Sequence, residues 1–214
     1  MPDYSLPEQL ARTLERPFNQ PFPRRAPAMA YGRHQGPPRP DARVAAVLIL
    51  LYPIHDAWHL PLTVRQPHLS IHAGQVSLPG GGVEIGESSR DAACREAEEE
   101  LGIPTHDVRI VGQLPTVYLF NSNYHVTPWI GFANQRPKFR VNEDEVSELI
   151  ELPLSAINHD DFQSELVVQR GRLRFTAPAL RWQSHQIWGA TRLILAQFAE
   201  CIAEAARPEH AETE

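Results

Sequence analysis

Residues 79–103 open with Pro79-Gly80-Gly81-Gly82-Val83-Glu84-Ile85-Gly86-Glu87 and close with Arg95-Glu96-Ala97-Glu98-Glu99-Glu100-Leu101-Gly102-Ile103. Three glycines after a proline let the backbone fold tightly and approach another group closely. Such a run is not expected to continue a strand, because proline removes a ladder donor and glycine has no side chain to pack. Residues 88–102 are rich in alanine, glutamate and arginine, which favours helix. Ser88 or Ser89 is placed to cap its start and Gly102 to end it. At about 100° per residue, Glu96, Glu99 and Glu100 share roughly a 100° arc, with Arg95 beside Glu99 at four-residue spacing and Glu98 pointing away. Three carboxylates on one face repel one another unless a cation compensates, and hard divalent cations take oxygen ligands. Ala93, Ala97 and Leu101 form a strip able to pack on a sheet and hold the helix rigid.

Working outward, Val44 to Tyr52 is a continuous apolar run, expected of a strand buried on both faces. Further strands are expected at 59–64, 107–114 and 124–133, and a hairpin around Gly171 over 166–175. Residues 146–152 fit a helical turn passing into a strand. An amphipathic helix is expected over 187–206, and a short one over 5–15 with Leu6, Leu10 and Leu14 on one stripe. Strands and helices mix without regular βαβ alternation, which suggests an α/β sandwich. Residues 1–42 read as a helix and a proline-rich arm, 43–206 as the folded domain and 207–214 as a tail.

The 214-residue chain is long enough for one well-buried core and short for two domains. Its net charge of -6 argues against a nucleic-acid binder, and Lys138 is the sole lysine. No run of eighteen apolar residues is present, so no membrane span is expected. Cys94 and Cys201 lack zinc-type spacing and suit a reducing compartment. Without an apolar signal core at the start, a cytoplasmic location is expected.

An acidic helix face is more often merely solvated, but the surrounding pattern points elsewhere. Gly81, Glu87, Arg95, Glu96, Ala97, Glu99, Glu100, Gly102 and Ile103 stand at the spacing of the Nudix box, with Ala97 where a larger aliphatic is usual. The segment therefore resembles the Nudix hydrolases. The resemblance implies an α/β/α sandwich with a mixed sheet and a metal-dependent hydrolase acting on a diphosphate bond. Glu96, Glu99 and Glu100, with the backbone carbonyl near Gly81, would bind Mg²⁺ or Mn²⁺. Glu87 and Arg95 would pair to hold the loop against the helix. The metals would neutralise charge on the diphosphate and lower the pKa of an attacking water.

Upstream, Leu62-Thr63-Val64-Arg65 leads to Gly74 and Pro79-Gly80-Gly81, which resembles the additional signature of the coenzyme A diphosphatases within that family. Arg65, Gly74, Gly80 and Gly81 are the substrate-binding residues this implies. Three positions depart: Gln66 replaces a small residue, Ser70 a second arginine and Leu78 a phenylalanine. Ser70 removes a cation suited to a substrate phosphate. His72 reads as a loop hydrogen-bonding residue. Tyr124 to Pro128, the acidic run Asn142 to Leu149 and Trp188 to Thr191 extend the resemblance over roughly 43–200. The acidic run is the candidate source of a further metal ligand or the general base, with Glu145 preferred and Glu143 next; its alternative is a charged turn capping a helix. Tyr118, Phe120, Tyr124 and Trp129 are able to stack on a base, though aromatics at strand spacing are more often core.

The function expected is hydrolysis of coenzyme A or its thioesters to 3′,5′-ADP and 4′-phosphopantetheine or its acyl form. Alternatives are a Nudix hydrolase acting on ADP-ribose, NADH or a nucleoside triphosphate, and a non-catalytic nucleotide sensor. The partner expected is a small nucleotide-derived substrate, with a second copy of the chain as a further candidate.

Overall fold

The computed structural model describes residues 2–15, 38–68, 74–120, 122–171 and 173–207. Most of the proline-rich arm, Ser70, His72 and the tail beyond 207 lie outside the described residues.

The frame is a mixed sheet around β1 (Arg43–Ile54), which pairs parallel with β7 (Tyr124–Phe132) from Arg43 to Leu51 and, near its start, antiparallel with β4 (Gly80–Gly82). Its C-terminal end turns into β2 (Ala57–Arg65), which carries β3 (Val76–Ser77) and β8 (Val146–Pro153). β5 (Arg109–Gln113) and β6 (Val117–Leu119) pair with β7. A second, antiparallel sheet runs β9 (Gln163–Arg170), β10 (Leu173–Trp182) and β11 (His185–Trp188), with its first hairpin at Gly171, φ 60°.

Alternation along β1 builds the layers. Ala46, Leu48, Leu50 and Tyr52 join Ala92, Ala93, Ala97 and Leu101 of α2 (Ser89–Leu101) in one core. Ala45, Ile49 and Leu51 face the other way, where Leu10 of α1 (Leu6–Glu15) and Leu195 and Phe198 of α3 (Gly189–Ala205) complete a larger core. The result is the expected α/β/α sandwich. Among the described residues, no helix is long and apolar enough to cross a membrane.

Three local expectations need correction. Gly80–Gly82 does form a short strand, because β2 leaves the N-terminal half of β1 with an open edge and glycine keeps its ladder groups. Residues 146–152 are strand throughout, zipped to β2. Ile187 and Trp188 belong to β11, and helix begins only at Gly189. The first helix buries Leu6 and Leu10 in the main core.

Candidate active site

Local chemistry accounts for the placement of α2. Ser88 Oγ accepts from the Asp91 N–H at 3.1 Å, capping the first turn, and Gly102 ends the last with φ 66°. The carbonyls of Glu100 and Leu101, left over at the helix end, accept from Asn142 N–H at 2.9 Å and Arg140 N–H at 2.8 Å. The helix end and the acidic loop after it are thereby joined directly.

The alanine strip lets α2 lie close on β1, and this decides the environment of each glutamate. Glu98 and Glu99 are exposed, Glu96 is half-buried, and Glu100 is only 2% exposed. Burial, reinforced by the Glu96 charge, pushes the Glu100 carboxyl up to about 8, against opposing contributions from Arg65 and a backbone hydrogen bond of Gly80. Its Oε2 has no hydrogen-bond partner among the described residues. Burial also raises Glu96, whose carboxylate faces the charges of Glu99 and Glu145 while Arg95 counteracts them.

Arg95 organises the loop. Its Nε and Nη2 donate to the two Glu87 oxygens at 2.9 and 3.2 Å, and Nη2 also to Gly82 O at 3.0 Å. Its Nη1 donates to Glu96 Oε1 at 3.0 Å and Glu99 Oε2 at 3.1 Å. Glu87 in turn accepts from the Glu84 N–H at 3.0 Å, and the Arg95 bond holds its carboxyl below the usual range. The glycines make room: a Cβ on Gly81 would overlap the Glu96 carboxylate, and one on Gly80 would overlap Ala46 O.

Arg65 and Gly74 are joined through the backbone. Gly74, φ 67°, donates its N–H to Arg65 O at 3.1 Å, and Arg65 N–H donates to Gln75 O at 3.1 Å. The Arg65 charge reaches Glu100, as does that of Glu145. Glu143 is exposed in the loop, and its carbonyl accepts from the Gln66 side chain. Gln66 was marked in the sequence only as a departure from a pattern; no periodicity or composition signal indicated this contact.

The aromatics divide. Trp129 packs beside the α2 core and donates to Ser89 Oγ at 3.2 Å, while Tyr124 lies under the Arg43 guanidinium at 4.1 Å. Tyr118 stacks obliquely on His125 at 5.1 Å and near Phe120 at 6.3 Å.

The donor set is all oxygen and includes a buried carboxylate oxygen without a partner, which suits a hard divalent cation. Among the described residues, no three His, Cys, Asp or Glu side chains converge as a metal cage; Arg95 holds Glu96 Oε1 and Glu99 Oε2.

The sandwich and its acidic loop–helix define a hydrolase domain of a known kind. The NUDIX domain model matches residues 42–168. An uncharacterized Nudix hydrolase, NudL, of Pectobacterium atrosepticum is 36% identical over 163 residues, 76% of this chain and 84% of that protein. NudL of Yersinia enterocolitica, also uncharacterized, is 37% identical over 144 residues, covering 67% and 73%. The crystal structure of a MutT/nudix family protein from Enterococcus faecalis shares the fold, with a TM-score of 0.54 over 81% of this chain and 67% of that one at 17% identity. The chain belongs to the Nudix hydrolase family. Members act on diphosphate bonds of small nucleotide substrates and generally use divalent metal ions.

Proposed function

We propose that this chain is a coenzyme A diphosphatase of the cytoplasm, hydrolysing coenzyme A or its thioesters to 3′,5′-ADP and 4′-phosphopantetheine or its acyl form. The observation that carries this reading is that Gly74 is bonded to Arg65, whose charge reaches Glu100, because these are residues of the coenzyme A signature and the buried acid of the Nudix box. In this reading Glu96, Glu99, Glu100 and the Gly81 carbonyl hold Mg²⁺ or Mn²⁺. Once bound, the metal neutralises diphosphate charge and lowers the pKa of the attacking water. Glu145 accepts the proton, with Glu99 and Glu100 also in the catalytic set, and water attacks phosphorus as the anhydride P–O bond breaks. Arg65 offers a planar, multidentate cation to a phosphate. Gly74, Gly80 and Gly81 present bare backbone to the substrate. Arg95 and Glu87 keep the loop against the helix.

A second reading, another nucleotide diphosphate such as ADP-ribose or NADH, is favoured by Ser70 in place of the second arginine. The test is product analysis by mass spectrometry after incubation with coenzyme A, ADP-ribose or NADH, with and without Mg²⁺ or Mn²⁺. Metal-dependent release of 3′,5′-ADP and phosphopantetheine well ahead of the other products supports the first reading. Turnover of another substrate alone supports the second, and turnover of none favours a non-catalytic sensor.

A further inference from the structure

Regular pairing between β2 and β8 stops short of the acidic loop. Val64 faces Glu148, but the next residue, Arg65, faces Val146, so Ser147 is a bulged residue. Its hydroxyl donates to Val64 O at 3.1 Å. A bulge bends its strand and interrupts the ladder. The interruption falls where the chain must turn to bring Glu145 toward Glu96 and Glu100. That turn opposes electrostatics, since Glu145 adds negative charge to a site already holding two carboxylates.

Two amide residues hold the turn. Asn142 donates its N–H to Glu100 O at 2.9 Å, and its carbonyl accepts from Glu145 and Val146 N–H at 3.1 and 2.9 Å. Its side chain accepts from Asp144 N–H at 3.1 Å and reaches Glu145 Oε1 at 3.4 Å. Gln66 grips from the opposite side. Its backbone N–H donates to Glu145 O at 2.9 Å, and its side-chain amide donates to Glu143 O at 2.6 Å and Val146 O at 3.4 Å. The side chain thus bonds the carbonyls on both sides of Glu145. The small residue usual at this place in the coenzyme A signature has no amide to bridge them.

We propose that Gln66 is a positioning residue that replaces the interrupted β2–β8 ladder and locks the acidic loop so that Glu145 faces the carboxylates of α2. The inference rests on reading Glu145 as part of the catalytic set and is independent of coenzyme A as substrate. Because Gln66 directly follows Arg65, the same clamp ties the substrate-binding strand end to the acidic loop.

The test is a double-mutant cycle between Gln66→Met, which keeps side-chain length but removes the amide, and Glu145→Gln. It is read as kcat and KM on a diphosphate substrate that the protein turns over, and as Mn²⁺ affinity measured with the metal alone by electron paramagnetic resonance. Loss of two neutral hydrogen bonds predicts a fall of about tenfold in kcat or Mn²⁺ affinity for Gln66→Met, with KM changed less than about twofold. In the Glu145→Gln background the same substitution should add less than about twofold. Equal effects of Gln66→Met in both backgrounds, or none in the wild type, overturn the inference while leaving Glu145 in place. A Glu145→Gln variant normal in both readouts removes Glu145 from the set and overturns the inference with it. If no diphosphate is turned over, the Mn²⁺ cycle decides alone, so failure of the functional reading is distinguished from failure of the clamp.

Discussion

Glu100 is the residue at which fold and chemistry conflict most directly. A buried carboxylate is costly unless its oxygens are compensated, and here Oε2 has no partner while the Glu96 charge stands nearby. In metal-free protein the Glu100→Gln amide is therefore expected to leave stability unchanged or raise it by about 1 kcal/mol. Turnover should fall by about a hundredfold or more. Thermal melts in chelator and in Mg²⁺ check this: Mg²⁺ should raise the midpoint of the wild type and not of the variant. An equal Mg²⁺ shift in both would show that Glu100 does not hold the metal. The two glycines facing this helix should respond differently from each other. Gly80 has φ 154° and its missing Cβ would strike the backbone of β1, so Gly80→Ala should cost stability, about 2 kcal/mol in chemical denaturation. At Gly81 the obstacle is the flexible Glu96 side chain, so Gly81→Ala should lose turnover with a smaller stability change.

At the scale of the element, caps and periodicity were legible while pairing was not. Ser88 and Gly102 bound α2 because side-chain and backbone chemistry at a helix end is local. The short strands β4 and β11 escaped because pairing with β1 and β10 depends on residues far away in the chain. Also nonlocal is the clamp at the far end of β1. Tyr52 donates to Glu151 Oε2 at 3.0 Å, and Arg136 Nε and Nη2 donate to the two Glu151 oxygens at 2.8 Å each. This pins the segment leading from β7 toward Arg140 and Asn142, hence the approach to the acidic loop. Burial raises Glu151, but the Arg136 and Tyr52 bonds outweigh it and hold the carboxyl below its ordinary value. A depressed carboxyl stabilises the fold above its unfolded pKa, and that contribution disappears as pH falls through the folded value. Arg136→Gln should therefore destabilise by about 1–2 kcal/mol at pH 7 and by much less at an acid pH below the folded value of Glu151, where the carboxyl is protonated. Urea melts at the two pH values measure the difference, and an equal loss at both would assign the effect of Arg136 to its packing over Phe139.

Across the whole molecule, the sandwich was readable because β1 is apolar on both faces, which requires a covering layer on each side. The glutamates were readable from their spacing, whereas the route by which Glu145 and Gln66 reach them depends on a bulge that leaves no mark in composition. The packing of the first helix was not readable either. The family match begins at residue 42, yet α1 precedes it and packs against α3 and β5 in the same core. Leu10 is fully buried there, and Leu14 fills the space left by Gly112. Trp58 Nε1 donates to Asp3 O at 3.1 Å, fixing the start of the segment. Arg109 and Glu8 pair at 2.9 Å, but both side chains are more than half exposed, so this bond should count for little. The two kinds of anchor predict unequal losses. Leu10→Ala should cost about 2–5 kcal/mol through the cavity it leaves, while Glu8→Gln should leave stability nearly unchanged. Equilibrium unfolding followed by tryptophan fluorescence compares them, with Trp58 reporting from the contact itself. If α1 were an appendage on a self-sufficient domain, Leu10→Ala would leave the global transition unmoved. A transition that shifts as a single cooperative step instead makes residues 2–15 part of the unit that holds α2 in place, because α1 and α2 pack on the two faces of β1.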